Sequence, residues 1–365
     1  MPFSSVRGQD KAVGRLRSLA ETGRVPPALI FHGPPGTGKF LAALEFAAAL
    51  NCTRIPHVEP EAAERAPENP EEEIGGLFAA PEPAPAEKKA PPAPPPPVET
   101  APGDSCGVCR SCLQLRSGAH PDVRVVDTVF QAAFLNEPES ANLKVETARE
   151  LIRWTLQRPM MSERKVYIVR DAEALVPAAQ NALLKTLEDP PDNTVLILVT
   201  SRKKDLLPTI LSRCSALDFA PLPRQVLGEL LAARGADPAE AGRLAVLARG
   251  SMEKAAEAAG ILQRLSRLRP GDPARAFKFA AGLPRDSHAA REEVKTLLEL
   301  ALERGRRAWA QAAPPAKRRY TEMLRSIMAL RRMADRNVSY SLLLQSALLE
   351  GERAGLRLED LLGGA

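Results

Sequence analysis

Aromatic side chains are scarce in this chain of 365 residues, in which Phe, Tyr and Trp together make up 4%. Single-stranded nucleic acids are commonly bound by stacking bases on such rings, so the scarcity argues against base stacking as a main mode of recognition. No apolar run approaches the 18 residues of a membrane-spanning helix, and Met1–Arg7 contains no apolar signal stretch. These absences predict a soluble, cytoplasmic protein without a membrane partner.

Cysteine is also rare, but four of the five residues form a pattern. Cys106, Cys109 and Cys112 are each separated by two residues, and Cys52 lies far upstream. Thiolates at this spacing can converge on one tetrahedral ion, so we expect a structural Zn²⁺ with Cys52 as the fourth ligand. Reduced thiols without metal and a redox pair stay open as alternatives, whereas disulfides are not expected in a cytosolic protein. Cys214 is interpreted as a buried small residue.

Charge and proline content separate residues 54–103 from the rest. This segment holds 14 of the 34 prolines and a net charge of −6, which leaves +11 for the remaining chain. Such a composition predicts a disordered or polyproline-like insert, either a spacer or a ligand for a partner. The basic remainder fits an anionic partner such as nucleic acid, but it also fits an arginine-rich soluble protein without one.

A phosphate-binding loop is the strongest local motif. The pattern Gly-x4-Gly-Lys at 33–39 follows the apolar run 28–31 and precedes the helix-like run 41–50. In such a loop, backbone N–H groups surround an anion and the lysine reaches the outer phosphates. The next position requires Ser or Thr, because that hydroxyl ligates Mg²⁺, and here it is Phe40.

Short apolar runs alternate with helical patterns up to about residue 220, which predicts an α/β fold with a parallel sheet. Further along, only helical patterns remain. We therefore expect a P-loop core over 1–220, including a zinc module at Cys52 and 104–120, a helical lid over 221–268, and a C-terminal helical domain over 269–365.

Several blocks together resemble the clamp-loader family of AAA+ proteins of bacterial DNA polymerase III. They are Gly33–Lys39, Asn51-Cys52, Cys106–Cys112, His120-Pro-Asp122, Lys165–Val169, Asn181–Pro191 and Ser212-Arg-Cys214. The resemblance implies an AAA+ core, a lid and a C-terminal oligomerisation collar. It also raises two alternatives, an ATP-hydrolysing gamma/tau type and a non-hydrolysing delta-prime type.

Three positions favour the delta-prime type. Phe40 replaces the metal-binding hydroxyl. The resemblance puts Arg170 where an Asp would hold Mg²⁺ and Asp171 where a Glu would position water. A one-residue shift would instead make Asp171 the metal ligand. In both alignments the Asp-Glu pair is broken. Glu253 stands where the lid would present an arginine to the γ-phosphate. The resemblance therefore implies that the chain's own ATPase is lost.

Arg213 has a different expected role. In this family, the arginine of Ser212-Arg-Cys214 is a finger aimed at ATP on the neighbouring subunit, although capping of the preceding helix is an alternative. Thr200 resembles a sensor of the γ-phosphate but could equally be structural. The expected phosphate-site residues are Gly33, Pro34, Pro35, Gly36, Thr37, Gly38, Lys39, Phe40, Asp171 and Thr200.

The resemblance implies a subunit that joins the delta and gamma/tau subunits in a hetero-oligomeric ring, which opens the sliding clamp and places it on primed DNA. Within that assembly the chain would have no polymerase site. The broken metal-binding pair argues against ATP with Mg²⁺ as a cofactor, but a metal-poor nucleotide or phosphate site stays open because Lys39 and the glycines are present. Lys185 could contact DNA or be solvated, and the basic run 304–336 fits a solvated collar surface better than a DNA site. The alternatives are an active gamma/tau-type ATPase and a zinc-binding AAA+ regulator outside replication.

Overall fold

The computed structural model describes residues 3–54, 101–266, 274–284, 287–334, 336 and 338–356. Most of the proline-rich insert predicted at 54–103 therefore lies outside the described residues. Five strands are present: β1 Ala28–His32, β2 Val123–Val126, β3 Lys165–Val169, β4 Thr194–Thr200 and β5 Ser215–Asp218. They form one sheet in the order β2-β3-β4-β1-β5, and every neighbouring pair is parallel. The predicted parallel sheet is confirmed.

The helices flank and follow this sheet. Their bounds are α1 Asp10–Thr22, α2 Lys39–Leu50, α3 Arg110–Arg116, α4 Thr128–Leu135, α5 Val145–Thr155, α6 Pro177–Glu188, α7 Pro208–Leu211, α8 Arg224–Ala233, α9 Pro238–Leu247, α10 Met252–Ser266, α11 Arg275–Ala281, α12 Ser287–Gln311, α13 Pro314–Met333 and α14 Tyr340–Arg353. Among the residues that the structure describes, none of these helices is long and apolar enough to cross a membrane.

Contacts divide the chain into two units. One contains Met1–His32 and Gly38–Asp218, and the other contains Gly33–Thr37 and Phe219–Ala365. The first unit holds the sheet. Its central strands β3 and β4 are buried along their whole length, as continuous apolar runs require when both faces of a parallel sheet are covered.

The second unit contains two apolar clusters. One lies among α8, α9 and α10 around Leu227, Leu244 and Ala255. The other joins α12, α13 and α14 around Leu297 and Ile327. The expected division into core, lid and C-terminal domain remains a prediction, because the contacts group the chain into two units.

Sheet order brings the functional loops to one edge. Strand β1 lies between β4 and β5, and His32 at the end of β1 pairs with Thr200 at the end of β4. Strand β3 lies on the other side of β4 and ends at Val169, which pairs with Leu198. The carboxyl ends of parallel strands share one edge, where α/β proteins bind their ligands.

Candidate functional site

Lys39 is the first residue of α2, and its side chain is held at the end of β4. It is only 6% exposed, and its Nζ donates a hydrogen bond to Ser201 Oγ at 3.1 Å. Ser201 directly follows Thr200, which β1 and β4 bring opposite His32. Ser201 was not among the predicted site residues, and its position directly after a strand end was the available signal. A buried ammonium at this edge retains the charge that a phosphate group requires.

The glycine positions 33 and 36 belong to the second unit and are packed tightly there. Gly33 has φ +151°, and a Cβ on it would lie 2.1 Å from the Phe219 carbonyl oxygen. Gly36 has φ +67°, and a Cβ there would lie 2.5 Å from the backbone nitrogen of Glu253. The Gly36 carbonyl also accepts a 3.0 Å hydrogen bond from Met252 N–H. Both positions therefore need glycine, and Glu253 lies against the loop, as the family resemblance implied.

Phe40 and Arg170 contact each other. The Arg170 guanidinium lies over the Phe40 ring, with 5.1 Å between Cζ and the ring centroid. A cation on an aromatic face stabilises by about 0.5–1 kcal/mol at an exposed position. From the sequence, each residue was singled out separately: Phe40 as the position that lacks the metal-binding hydroxyl, and Arg170 as a cation where the resemblance expects an Asp. An aromatic ring and a guanidinium offer no oxygen ligand, so this pair does not fit Mg²⁺.

Asp171 adopts the left-handed conformation, with φ +52°, directly after β3. Its carboxylate lies 3.6 Å from Arg170 Nε. Partial burial raises the pKa of Asp171 above its ordinary value; Arg170 lowers it, Glu173 raises it and Lys39 lowers it again. The Asp171 carboxylate therefore lies beside the Arg170 guanidinium; which of the two stands at the metal-ligand position stays a prediction.

Glu173 is a second acidic residue at this edge that sequence reasoning missed. Its Oε1 accepts a hydrogen bond from Ser201 N–H at 3.1 Å, and its side chain is 8% exposed. Thr200 is fully buried, and its Oγ1 accepts from Arg202 N–H at 3.1 Å. This bond gives the Thr200 hydroxyl a place in the turn after β4; its sensor role stays a prediction.

Arg213 follows the short helix α7 and is held on two sides. Its Nη1 donates to the Thr209 carbonyl at 2.9 Å and to Ser212 Oγ at 3.3 Å, so it does cap the preceding helix. Its Nη2 pairs with the Glu188 carboxylate at 2.5 Å. The side chain remains 34% exposed. Glu188 lies inside the Asn181–Pro191 block, but sequence alone gave no signal that it would meet Arg213.

The four clustered cysteines converge as their spacing predicted. The Sγ atoms of Cys52, Cys106, Cys109 and Cys112 all lie within 4.8 Å of one another. Sulfur ligands of one tetrahedral zinc lie about 3.8 Å apart, given Zn–S bonds of about 2.3 Å. The donor set and its spacing therefore fit one Zn²⁺.

Backbone N–H groups support these sulfur atoms. Cys106 N–H donates to Cys52 Sγ at 3.2 Å, and Cys109 N–H donates to Cys106 Sγ at 3.3 Å. Hydrogen bonding from the Cys112 thiol lowers the pKa of Cys52 to about 5 despite burial, and the N–H groups of Cys106 and Arg54 act in the same direction. Such donors favour the thiolate form that binds metal. Cys214 lies outside this cluster; it is half-buried rather than fully buried, and burial raises its pKa to about 11.

His120 joins the cysteine-bearing helix to the sheet. Its Nδ1 accepts from Asp122 N–H at 3.2 Å, so the neutral ring carries its proton on Nε2. Nε2 lies 3.0 Å from Ser111 Oγ and 3.1 Å from Ser162 Oγ. Burial lowers the pKa of His120, while Asp122 opposes this shift. These contacts give His120 a structural role between α3 and the loop before β3.

Asp122 holds the loop before β3. Its carboxylate accepts hydrogen bonds from the N–H groups of Met160, Met161 and Ser162 at 2.6, 2.8 and 2.7 Å. Burial alone would raise the pKa of Asp122, but these three donors hold it below its ordinary value.

Comparison with known proteins finds similarity over part of the chain. A model described as DNA polymerase III, delta subunit matches residues 98–223. The delta-prime subunit of Pseudomonas aeruginosa is 36% identical over 159 residues, which cover 38% of this chain and 45% of that protein. Over these residues the chain is similar to subunits of the DNA polymerase III clamp loader. The resemblance drawn from its sequence motifs is confirmed.

Other relatives include both branches of this clamp-loader family. The delta-prime subunit of Bacillus subtilis is 27% identical over 65% of this chain and 55% of its own length. The gamma/tau subunit of Mycobacterium tuberculosis is 29% identical over 63% of this chain and 30% of its own length. This chain thus spans about half or less of the length of these relatives.

One solved structure shows the same fold. A gamma subunit-related protein of Thermotoga maritima aligns with a TM-score of 0.50 and 17% identity, covering 93% of this chain and 99% of its own. At this identity, the likeness concerns the fold alone.

Proposed function

We propose that the chain is a delta-prime-type subunit of the DNA polymerase III clamp loader. It has no ATPase of its own, and it completes the ATP site of a neighbouring subunit with Arg213. The observation that carries the proposal is the contact between Arg170 and Phe40. A positive charge and an aromatic ring occupy the two positions that would supply metal ligands, and phosphoryl transfer in P-loop enzymes depends on that metal.

The partners follow from this assignment. The chain joins delta and gamma/tau subunits in a ring through its C-terminal helices, and the ring loads the sliding clamp on primed DNA in the cytoplasm. Phosphate binding without turnover remains compatible with this role, because Lys39 and the loop glycines are retained.

We further propose that Cys52, Cys106, Cys109 and Cys112 hold one structural Zn²⁺. Four thiolate ligands leave no open coordination position, so this ion would stabilise the fold and perform no catalysis. Support comes from the convergence of the four Sγ atoms.

ATP hydrolysis by the isolated chain separates this proposal from the gamma/tau alternative. We expect background phosphate release with Mg²⁺ present, and the same rate for Lys39→Ala. A turnover that disappears on Lys39→Ala would contradict the proposal and favour an active gamma/tau-type ATPase.

A further inference from the structure

Arg213 is anchored by contacts that come from two different helices. Its Nη1 donates hydrogen bonds to Thr209 in α7 and to Ser212, the residue that follows α7. Its Nη2 forms an ion pair with the carboxylate of Glu188, the last residue of α6. A guanidinium carries five N–H groups, so these contacts do not exhaust its donors. The planar group is therefore oriented from two sides while it can still bind another anion.

The two helices are fixed to each other beneath this contact. Gln180 of α6 is 2% exposed, and its Oε1 accepts from Leu207 N–H at 2.8 Å, just before α7 begins. Its Nε2 donates to the Leu175 carbonyl at 2.9 Å and the Asp205 carbonyl at 3.3 Å. Helix α6, which carries Glu188, is therefore hydrogen-bonded through Gln180 to the segment that leads into α7.

The Glu188–Arg213 pair contributes little to folding. Glu188 is 51% exposed and Arg213 is 34% exposed, and ion pairs at this exposure stabilise the folded state only slightly because water screens them. Its main physical effect is on the side chain. A free arginine samples many rotamers, and two-sided anchoring reduces the entropy that must be lost when it binds an anion.

We propose that Glu188 is a positioning residue that holds the Arg213 guanidinium in the orientation from which it meets a phosphate group on the neighbouring subunit. This inference rests on the proposed finger role of Arg213. Orientation acts on the transition state, where a pre-placed guanidinium stabilises the developing charge without reorganisation. Glu188 should therefore affect the catalytic rate and leave nucleotide affinity unchanged.

The experiment uses the complete ring, reconstituted from this full-length chain and its cognate subunits, with DNA-stimulated ATP hydrolysis as the readout. Arg213→Ala defines the share of turnover that depends on the finger. We expect Glu188→Ala to slow the finger-dependent step about 3-fold, because the pair is partly exposed. The Glu188→Ala variant should therefore lose most of the Arg213-dependent part of kcat, while its KM stays unchanged. Glu188→Gln keeps an oxygen acceptor and should restore most of the rate.

Two further variants locate the effect. Asp192→Ala removes an exposed carboxylate close to α6 and should match the wild-type rate. Glu188→Ala combined with Arg213→Ala should equal Arg213→Ala alone, because Glu188 acts through Arg213. Ring assembly and the melting temperature of each variant report folding independently of turnover.

The outcomes distinguish this inference from the proposed function. If Arg213→Ala leaves turnover unchanged, the finger role is wrong. If Arg213→Ala slows turnover but Glu188→Ala does not, or if Glu188→Ala accelerates it, the positioning role is wrong and the finger role stands. An additive effect of the two substitutions would also overturn the positioning role.

Discussion

Arg170 and Arg213 are two arginines with opposite surroundings. Arg170 lies over the Phe40 ring beside Asp171, at the edge of the sheet where a metal ligand would belong. Arg213 is held by Glu188 and by the end of α7. In our proposal, Arg170 keeps Mg²⁺ out of the chain's own site, whereas Arg213 serves a site on a neighbouring subunit. The neighbours of a guanidinium, more than its charge, decide what it does.

The largest expected effect belongs to Arg213. Arg213→Ala should reduce turnover at the site it completes by about 10³-fold, as loss of an arginine finger does elsewhere. Arg213→Lys should restore little, because lysine lacks the planar fork. The measurement is DNA-stimulated ATP hydrolysis by the assembled ring.

The matched control for this prediction is Arg224→Ala, which removes an exposed arginine from the start of α8. Equal losses for the two variants would show a general effect of charge, and the contrast between Arg170 and Arg213 would disappear.

Loss of the metal should affect the surroundings of Phe40 more than those of Arg213. Cys52 lies just beyond α2, the helix that begins with Lys39 and Phe40. Cys109→Ser should lose zinc, measured as about one equivalent per chain in the wild type. It should lower Tm by roughly 10 °C.

Cys214→Ser is the control for the metal prediction, since Cys214 lies outside the cluster and should keep the zinc. If Cys109→Ser retained full stability after losing its metal, the structural role of the site would be wrong.

A substitution at Asp122 should change stability without touching either arginine. Asp122→Asn removes charge from an acceptor of three N–H groups, which should cost about 2 kcal/mol of unfolding free energy. The folded-state pKa of Asp122 is lowered, so its contribution is fully present above about pH 4, its ordinary range, and is lost as pH falls through the lower folded-state value.

Denaturant unfolding of the wild type and Asp122→Asn at several pH values measures this difference. Asp192→Asn, at an exposed carboxylate, should behave as the wild type. A gap between Asp122→Asn and wild type that grew on acidification would contradict the assigned sign.

The smallest effect concerns restoration of the lost metal ligands. Phe40→Thr combined with Arg170→Asp supplies a hydroxyl and a carboxylate, so Mg²⁺ should tighten nucleotide binding about tenfold, a modest gain because Glu253 remains beside the loop. Titration of a fluorescent nucleotide with and without Mg²⁺ tests this.

Each single variant restores one ligand and should show a smaller response to Mg²⁺. If the double variant bound nucleotide identically with and without the ion, the Arg170–Phe40 contact would not be what excludes the metal.

Sequence patterns predicted much of the first unit because its strands are continuous apolar runs. Strand β3 coincides with the Lys165–Val169 block, and β1 extends the apolar run 28–31 by one residue. Strand β5 was missed, since Ser215–Asp218 has an exposed edge and no apolar run. Helix α4 was also missed, although Asp127 caps it by accepting from Phe130 N–H at 2.8 Å.

The sequence by itself determined the phosphate-loop pattern, the four-cysteine pattern and the absence of a hydroxyl at position 40, because each depends on residue type and short spacing. Only the tertiary structure decided that Arg170 stacks on Phe40, that Ser201 receives Lys39, and that Glu188 meets Arg213. These partners are 25 to 162 residues apart in sequence. Strand order and helix packing bring them together, and no local periodicity encodes that.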